Sequence, residues 1–374
     1  MKLLCISLGC DKNLVDSEKM LGLLYEDGFT FTDDEREADV ILVNTCCFIG
    51  DAKEESVNTL LEMAEYRKNG PCRALIVTGC LAERYREEIT EEIPEVDAVI
   101  GTTAYDQIVP VIREVLSGGE HIQSFEDPTA LPEVKAERMV TTGGHYAYLK
   151  IAEGCDKHCT YCIIPSLRGP YRSVPMEQLV SEAEQLAEKG VKELILVAQE
   201  TTLYGVDLYG EKSLPKLLRQ LCRVPGIQWI RILYCYPEEI TDELIETIRD
   251  EEKICHYLDI PIQHASDRIL KRMNRRTSQA QLREMIGKLR REIPDIALRT
   301  TLISGFPGET QEDHEELYNF VNEMEFTRLG VFAYSQGEDT AAASFTDQIP
   351  QVVKEEGRDE VMELQQELAF EACG

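Results

Sequence analysis

Long hydrophobic runs are missing from this 374-residue sequence. No apolar stretch reaches the ~18 residues of a membrane-spanning helix, so the chain is not expected to cross a bilayer. A secretory leader is missing too. MKLLCISLGCDKN places one lysine before a short apolar run and then turns charged, which reads as a first β-strand and sets the expectation of a cytoplasmic protein. Repeats at solenoid periods are absent. Positive charge is scarce: 39 Lys+Arg face 69 Asp+Glu, a formal net charge of −30. Residues 1–118 carry 11 basic against 24 acidic side chains, and residues 141–345 carry 24 against 32. Neither stretch has the basic footprint of a nucleic-acid binder, and so acidic a chain is repelled by phosphate backbones and drawn to basic proteins. Solubility alone is the plainer explanation of the acidity.

An apolar fraction of 43% with 29% charged residues indicates a soluble globular chain, and its length suggests two or three domains. Thirteen cysteines without a leader argue for thiolate ligands or catalysis rather than disulfides. Cys5, Cys72, Cys222, Cys235 and Cys255 lie in apolar surroundings and read as small buried or half-buried residues.

Residues 1–118 alternate apolar runs (KLLCISL, DVILVNT, RALIVTG, VDAVIG) with amphipathic helical patterns. The fold class expected is α/β, beginning with a Rossmann-like open parallel sheet. Residues 119–140, with Gly, Pro, Ser and charge but no period, read as a linker. From 141 to 345 six further strand signals alternate with helices, which fits a partial (β/α)6 barrel better than a second open sheet. Residues 346–374 read as a polar C-terminal helix.

The stretch EGCDKHCTYCIIPS sets Cys155, Cys159 and Cys162 at C-x3-C-x2-C spacing, just after the first strand of the second domain. Three soft thiolates at this spacing suit iron–sulfur or zinc. A closed zinc site needs a fourth ligand and more often pairs two C-x2-C elements. His158 adjoins Cys159 and is poorly placed to share its ion, so an open cubane is the better reading. In the first domain SLGC, NTCC and VTGC place Cys10, Cys46 and Cys80 just after three apolar strands. In a parallel sheet those carboxyl ends share one edge, so cysteines some 35 residues apart converge. Cys47 is the alternative to Cys46, but the Asn-Thr-Cys step parallels the other two strand ends, and Cys47 is expected to face the core. Each triad leaves one coordination position open.

The C-x3-C-x2-C loop with an aromatic before its last cysteine resembles the radical S-adenosylmethionine superfamily. The whole order (SLGC, NTC, TGC, then EGCDKHCTYCIIPSLRGPYRS, then GFPGE) resembles the methylthiotransferase family within it. SLGCDKNLVDSE, HYAYLKIAEGC and YLDIPIQHAS resemble the branch that modifies a ribosomal protein, whereas transfer-RNA-modifying relatives usually read FGCQMN. The resemblance implies two 4Fe-4S clusters, S-adenosyl-L-methionine and an external electron donor. The Cys10, Cys46, Cys80 cluster would carry the sulfur to be transferred, and the Cys155 cluster would cleave the cofactor to a radical. The radical would take hydrogen from the β-carbon of an aspartate in a basic small-subunit ribosomal protein, twelfth in the usual naming.

For the cofactor, the resemblance places Tyr161 near adenine and Gly305 and Pro307 of the Gly-x-Pro turn beside it. Gln199 and Gln263, with Glu200 and His264, end strands where a barrel mouth wants polar groups. Each has a structural alternative: loop packing for Tyr161, a bare strand-to-helix turn for the glycines, satisfied polar residues for the rest. No catalytic acid or base is singled out, because an unactivated C–H offers no acidic proton. The turn Arg172–Val174 and KRMNRR (271–276) are either substrate contacts or a solvated surface. The family normally continues into a small β-barrel, the TRAM domain, which this chain is expected to lack. Two other functions fit the same residues: a transfer-RNA methylthiotransferase, and a non-catalytic protein with two metal centres.

Overall fold

The computed structural model describes residues 1–373 and falls into two compact units. The first comprises Met1–Gly144 together with Glu153–Asp156 and Ile163–Arg172. The second comprises His145–Ala152, Lys157–Cys162 and Ser173 onward. The three-cysteine loop therefore straddles the division, with Cys155 in the first unit and Cys159 and Cys162 in the second.

The first unit is built on a parallel six-stranded sheet. Its strands are β1 (Lys2–Ser7), β2 (Thr30–Phe31), β3 (Val40–Thr45), β4 (Ala74–Gly79), β5 (Ala98–Ile100) and β6 (Ile122–Ser124), in the order β2-β1-β3-β4-β5-β6. Its helices are α1 (Asp11–Glu26), α2 (Gly50–Asn69), α3 (Cys80–Glu92), α4 (Ile108–Leu116) and the short α5 (Ile164–Arg168). The strands are apolar on both faces because both are covered. Leu3, Leu42, Ile76 and Ile100 pack with α1 and α4 residues such as Leu24 and Ile112. The alternate residues Leu4, Ile41, Val43, Leu75 and Val77 pack with Leu60 and Met63 of α2 and Leu81 of α3. Two strands go beyond the four sequence signals. Thr30–Phe31 and Ile122–Ser124 are two and three residues long, too short to show a period, and the second pairs with β5 from within the stretch that reads as a linker.

The second unit places Tyr146–Lys150, Glu193–Val197, Trp229–Ile232, Ile254–Asp259, Ala297–Ser304 and Arg328–Ala333 side by side in chain order, all parallel. Sequential order with helical crossovers is the arrangement of a partial (β/α)6 barrel. Helices Met176–Glu188, Leu214–Cys222, Asp242–Asp250, Gln279–Glu292 and Gln311–Met324 supply the crossovers. Each buries an apolar stripe at three- and four-residue spacing, such as Leu282, Ile286 and Leu289. Capping boxes at Ser278 with Gln281 and at Thr310 with Asp313 fix where two of them begin. The last helix, Gln351–Cys373, lies on this unit with Val361 and Leu364 buried, and Gln365 Nε2 donates to the Phe326 carbonyl at 2.9 Å.

Candidate functional site

The order of the first sheet decides where its site forms. Chain direction across the sheet reverses between β1 and β3, and at such a switch point the carboxyl ends open a crevice for a ligand. Ser7 pairs with Asn44, and Thr45 pairs with Gly79, so three adjacent strands end at nearly the same level. Cys10, Cys46 and Cys80 follow at once. Cys10 is the N-cap of α1 and Cys80 the first residue of α3, positions where the helix field favours a thiolate.

Two glycines make the approach possible. Gly9 has φ +88°, and a Cβ there would stand 2.7 Å from Cys46 Cβ and 3.0 Å from its Sγ. Gly79 has φ +94°, and a Cβ would stand 2.3 Å from Asn44 Oδ1 and 2.4 Å from the Thr45 carbonyl. Only glycine fits such positions. The Cys46 backbone is locked from the other side: its N–H donates to Ser56 Oγ at 2.9 Å, and that hydroxyl donates to the Cys46 carbonyl at 2.8 Å.

Cys10 is exposed, whereas Cys46 and Cys80 are buried. Burial pushes the Cys80 thiol up to about 12, Arg168 opposes the shift, and the charges at Cys46 and Cys10 add to it. Cys46 is raised by burial in the same way, and Cys10 and Arg168 act on it too. The three thiols thus share one electrostatic environment, and metal binding there must displace protons. Cys47 lies in the apolar cluster with Leu4, Ile41 and Leu75, and Cys80 belongs to the same cluster.

Polar residues that the sequence reading missed surround this triad. Asn13, Asp16, Ser17 and Glu18 of α1 are all buried. Asn13 Nδ2 donates to the Leu8 carbonyl at 3.1 Å and the Thr45 carbonyl at 3.0 Å, tying together the two loops that carry Cys10 and Cys46. The Arg168 side chain, 2% exposed, donates to Asp16 Oδ2 at 2.9 Å, to Glu153 Oε2 at 3.3 Å and to Asn13 Oδ1. Burial works against its charge, but Cys80, Glu153, Asp16 and Cys10 together hold the guanidinium well above its ordinary pKa. The available signal was the spacing of Asn13 and Asp16 three and six residues after Cys10, one face of a helix pointing back to the site.

In the second unit Cys159 is buried and Cys162 half-buried, joined by a turn in which Cys162 N–H donates to the Cys159 carbonyl at 3.0 Å. Cys159 Sγ lies 3.6 Å from the Tyr236 hydroxyl and 4.0 Å from Arg275 Nη1. Arg275 is buried, stacks 4.3 Å from the Tyr236 ring centroid and donates to the Pro261 carbonyl. KRMNRR is therefore no uniform solvated face. Lys157 pairs with Glu239 and, at 3.4 Å, with Glu238. Burial pushes Glu200 up to about 7, against the pull of its Thr202 hydrogen bond and of Lys157. Cys155, in the first unit, is buried, and its N–H donates to the Gly169 carbonyl at 3.2 Å.

The other expected cofactor positions are placed as follows. Tyr161 packs on the cluster of Ile269, Met273, Phe306, Tyr334 and Ala342. Gln199 is half-buried two residues past its strand. Gln263 has φ +72°, a strained value for a residue with a side chain, and is held by backbone bonds to Thr301 and Ile303. Gly305 has φ +71°, and the space a Cβ would enter is filled by Lys354 of the last helix. Pro307 is buried, and its carbonyl accepts from Arg272 Nε at 3.1 Å.

The donor set fits iron–sulfur chemistry at the first site: three soft thiols on one sheet edge, two buried and one open, beside a buried cation. Among the described residues no three His, Cys, Asp or Glu side chains are drawn close enough to grip one metal ion. The thiols that hold a four-iron cluster stand further apart, each on its own iron.

Residues 2–101 match the model described as "Uncharacterized protein family UPF0004", and residues 149–321 match the Radical SAM superfamily. A protein of Lachnoclostridium phytofermentans named ribosomal protein uS12 methylthiotransferase RimO is 68% identical over 371 residues, 99% of this chain and 84% of that one. Its namesake in Acetivibrio thermocellus is 56% identical over 369 residues, 97% of this chain and 81% of that one. Among solved structures, the radical S-adenosylmethionine methyltransferase TsrM of Kitasatospora setae, with cobalamin and a [4Fe-4S] cluster, superposes with a TM-score of 0.66 over 89% of this chain and 74% of that one. At 15% identity that likeness is one of fold alone.

Proposed function

The chain belongs to the family of ribosomal protein uS12 methylthiotransferases named RimO, and from that premise we propose that it places a methylthio group on the β-carbon of an aspartate in ribosomal protein uS12. The observation that carries this reading is the convergence of Cys10, Cys46 and Cys80 on one sheet edge in a chain that also holds the Cys155, Cys159, Cys162 loop. In this reading each triad holds a 4Fe-4S cluster, and neither supplies a fourth protein ligand. When bound, the clusters and S-adenosyl-L-methionine supply a carbon radical able to take hydrogen from an unactivated C–H and a sulfur to replace it.

The protein's own part is to hold and shield. Cys10, Cys46 and Cys80 present thiolates from locked backbone, with Arg168 as the buried cation beside them. Arg275 and Tyr236 crowd Cys159 and keep water from it. Tyr161, Gln199, Gln263, Gly305 and Pro307 form the cofactor's bed, with Tyr161 backed by an apolar cluster and the Gly305 turn backed by the last helix. An external donor supplies electrons, and a basic protein substrate suits the charge of −30, whereas a nucleic acid does not.

The test is to incubate anaerobically reconstituted enzyme with S-adenosyl-L-methionine, a low-potential reductant and either recombinant uS12 or transfer RNA. Mass spectrometry should find one methylthio group replacing one hydrogen on a single uS12 aspartate, with 5′-deoxyadenosine formed. Modified transfer RNA beside unmodified uS12 would contradict the reading.

A further inference from the structure

The segment that follows the three-cysteine motif returns to the first unit as α5, and Arg168 at its end reaches the α1 face below Cys10. Burying a guanidinium is unfavourable unless its charge and donors are matched. Here Asp16 and Glu153 match the charge, and Asn13 Oδ1 takes a further N–H. Arg172 feels the charge of Glu153 as well, and beyond it those of Asp127 and Asp156.

The Asn13 contact has a consequence for the triad. With its oxygen engaged by Arg168, the Asn13 amide must turn its NH2 toward the Leu8 and Thr45 carbonyls, one step before the glycine-cysteine turn and the Cys46 turn. Asn44 Nδ2 then donates to the Asn13 carbonyl at 2.9 Å and to Ser17 Oγ at 2.9 Å, closing the set. A lysine could supply the charge at this place but not the fork that binds Asp16 and Asn13 together.

We infer that Arg168 is a positioning residue of the Cys10, Cys46, Cys80 site. It orients Asn13, which clamps two of the three cysteine turns, and it sets the charge against which a cluster bound there is reduced. The inference rests on the reading that this triad holds a cluster. A buried cation beside a redox centre favours the more negative, reduced state, and a buried carboxylate opposes it. Because Glu153 and Arg168 flank the three-cysteine motif in the chain, one loop serves both cysteine sets: its middle carries Cys155, Cys159 and Cys162, and its stem serves the other triad.

The test uses the full chain with Cys155, Cys159 and Cys162 replaced by alanine, reconstituted anaerobically so that only the first site can be loaded. Iron content and the midpoint potential, from a titration followed by electron paramagnetic resonance, are measured for this parent and for Arg168→Met, Arg168→Lys and Asp16→Asn on top of it. The expected result is a fall in potential for Arg168→Met of about 59 mV, tenfold in the reduced-to-oxidised ratio of a one-electron couple. Arg168→Lys, which keeps the charge and loses the fork, should hold its potential near the parent but take up less iron, and Asp16→Asn should shift its potential upward. Arg168→Met also strands two buried carboxylates; should it not fold, the upward shift of Asp16→Asn carries the inference on its own. A loaded parent whose potential none of the folded variants moves overturns the inference and leaves the cluster assignment standing, as does an equal fall for Lys and Met. A parent that takes up no iron overturns the assignment and the inference with it.

Discussion

Gly9 and Gly28 have nearly the same backbone, φ +88° and +91°, but different surroundings. A Cβ at Gly28 meets nothing within 4 Å, whereas one at Gly9 runs into Cys46. Gly28→Ala should therefore cost only the strain of a left-handed residue, about 1 kcal/mol in chemical denaturation, and leave iron uptake intact. Gly9→Ala should cost at least that and also lose the iron bound at the first site, read by iron analysis after reconstitution. Equal iron in the two variants would mean that the Gly9–Cys46 approach does not matter to the site. At this scale the sequence was legible where a residue type has few uses: cysteine at three strand ends, glycine before two of them. It was not legible for Asn13, Asp16, Glu153, Arg168 and Arg275. Polar and charged residues are solvated in most places, and nothing local distinguishes the few buried in pairs. Gly305 teaches a related lesson: the structure fills the space beside it with Lys354.

Among elements, the last helix has an attachment with a pH signature. Glu360 on this helix lies 2.9 Å from His314 Nε2, and His314 and His264 both face Glu309 in the turn after the Ala297–Ser304 strand. His314 is raised above its ordinary 6.5 by its Glu309 hydrogen bond against the cost of burial, with Glu360 adding to it. Burial would raise Glu309, but the hydrogen bonds from His264 and His314 win and lower it to about 2. The histidine contribution is complete below about pH 6.5 and is lost as pH rises through its elevated folded pKa. The Glu309 contribution is complete above about pH 4.5 and is lost as pH falls toward its depressed one. Helix attachment should then be firmest between about pH 4.5 and 6.5. The thermal midpoint of the wild type should fall more from about pH 6 to about pH 9 than that of His314→Gln. Parallel pH profiles for the two would show that this contact does not anchor the helix. Most elements were legible in the sequence because covered parallel strands read as apolar runs. Thr30–Phe31 and Ile122–Ser124 were not, because sheet edges are set by pairing with a neighbour rather than by a pattern of their own.

For the whole molecule the net charge of −30 is the largest single property, and its use depends on the partner. Steering of a basic protein weakens as salt shortens the range of the field, to ~8 Å at physiological ionic strength. Raising salt from about 50 to about 500 mM should raise KM for uS12 severalfold while S-adenosyl-L-methionine cleavage without substrate stays constant. A KM unmoved by salt would leave the acidity to solubility alone. The proposed function requires that the chain carry two separate three-thiolate sites, each open for a small molecule. It is tested most directly by counting iron and sulfide after anaerobic reconstitution of the wild type, Cys155→Ala and Cys10→Ala. About 8 irons and as many sulfides are expected in the wild type and about 4 in each variant, since a 4Fe-4S cluster at one triad does not depend on the other. Iron content unchanged by either substitution, or zinc in place of iron, would contradict it.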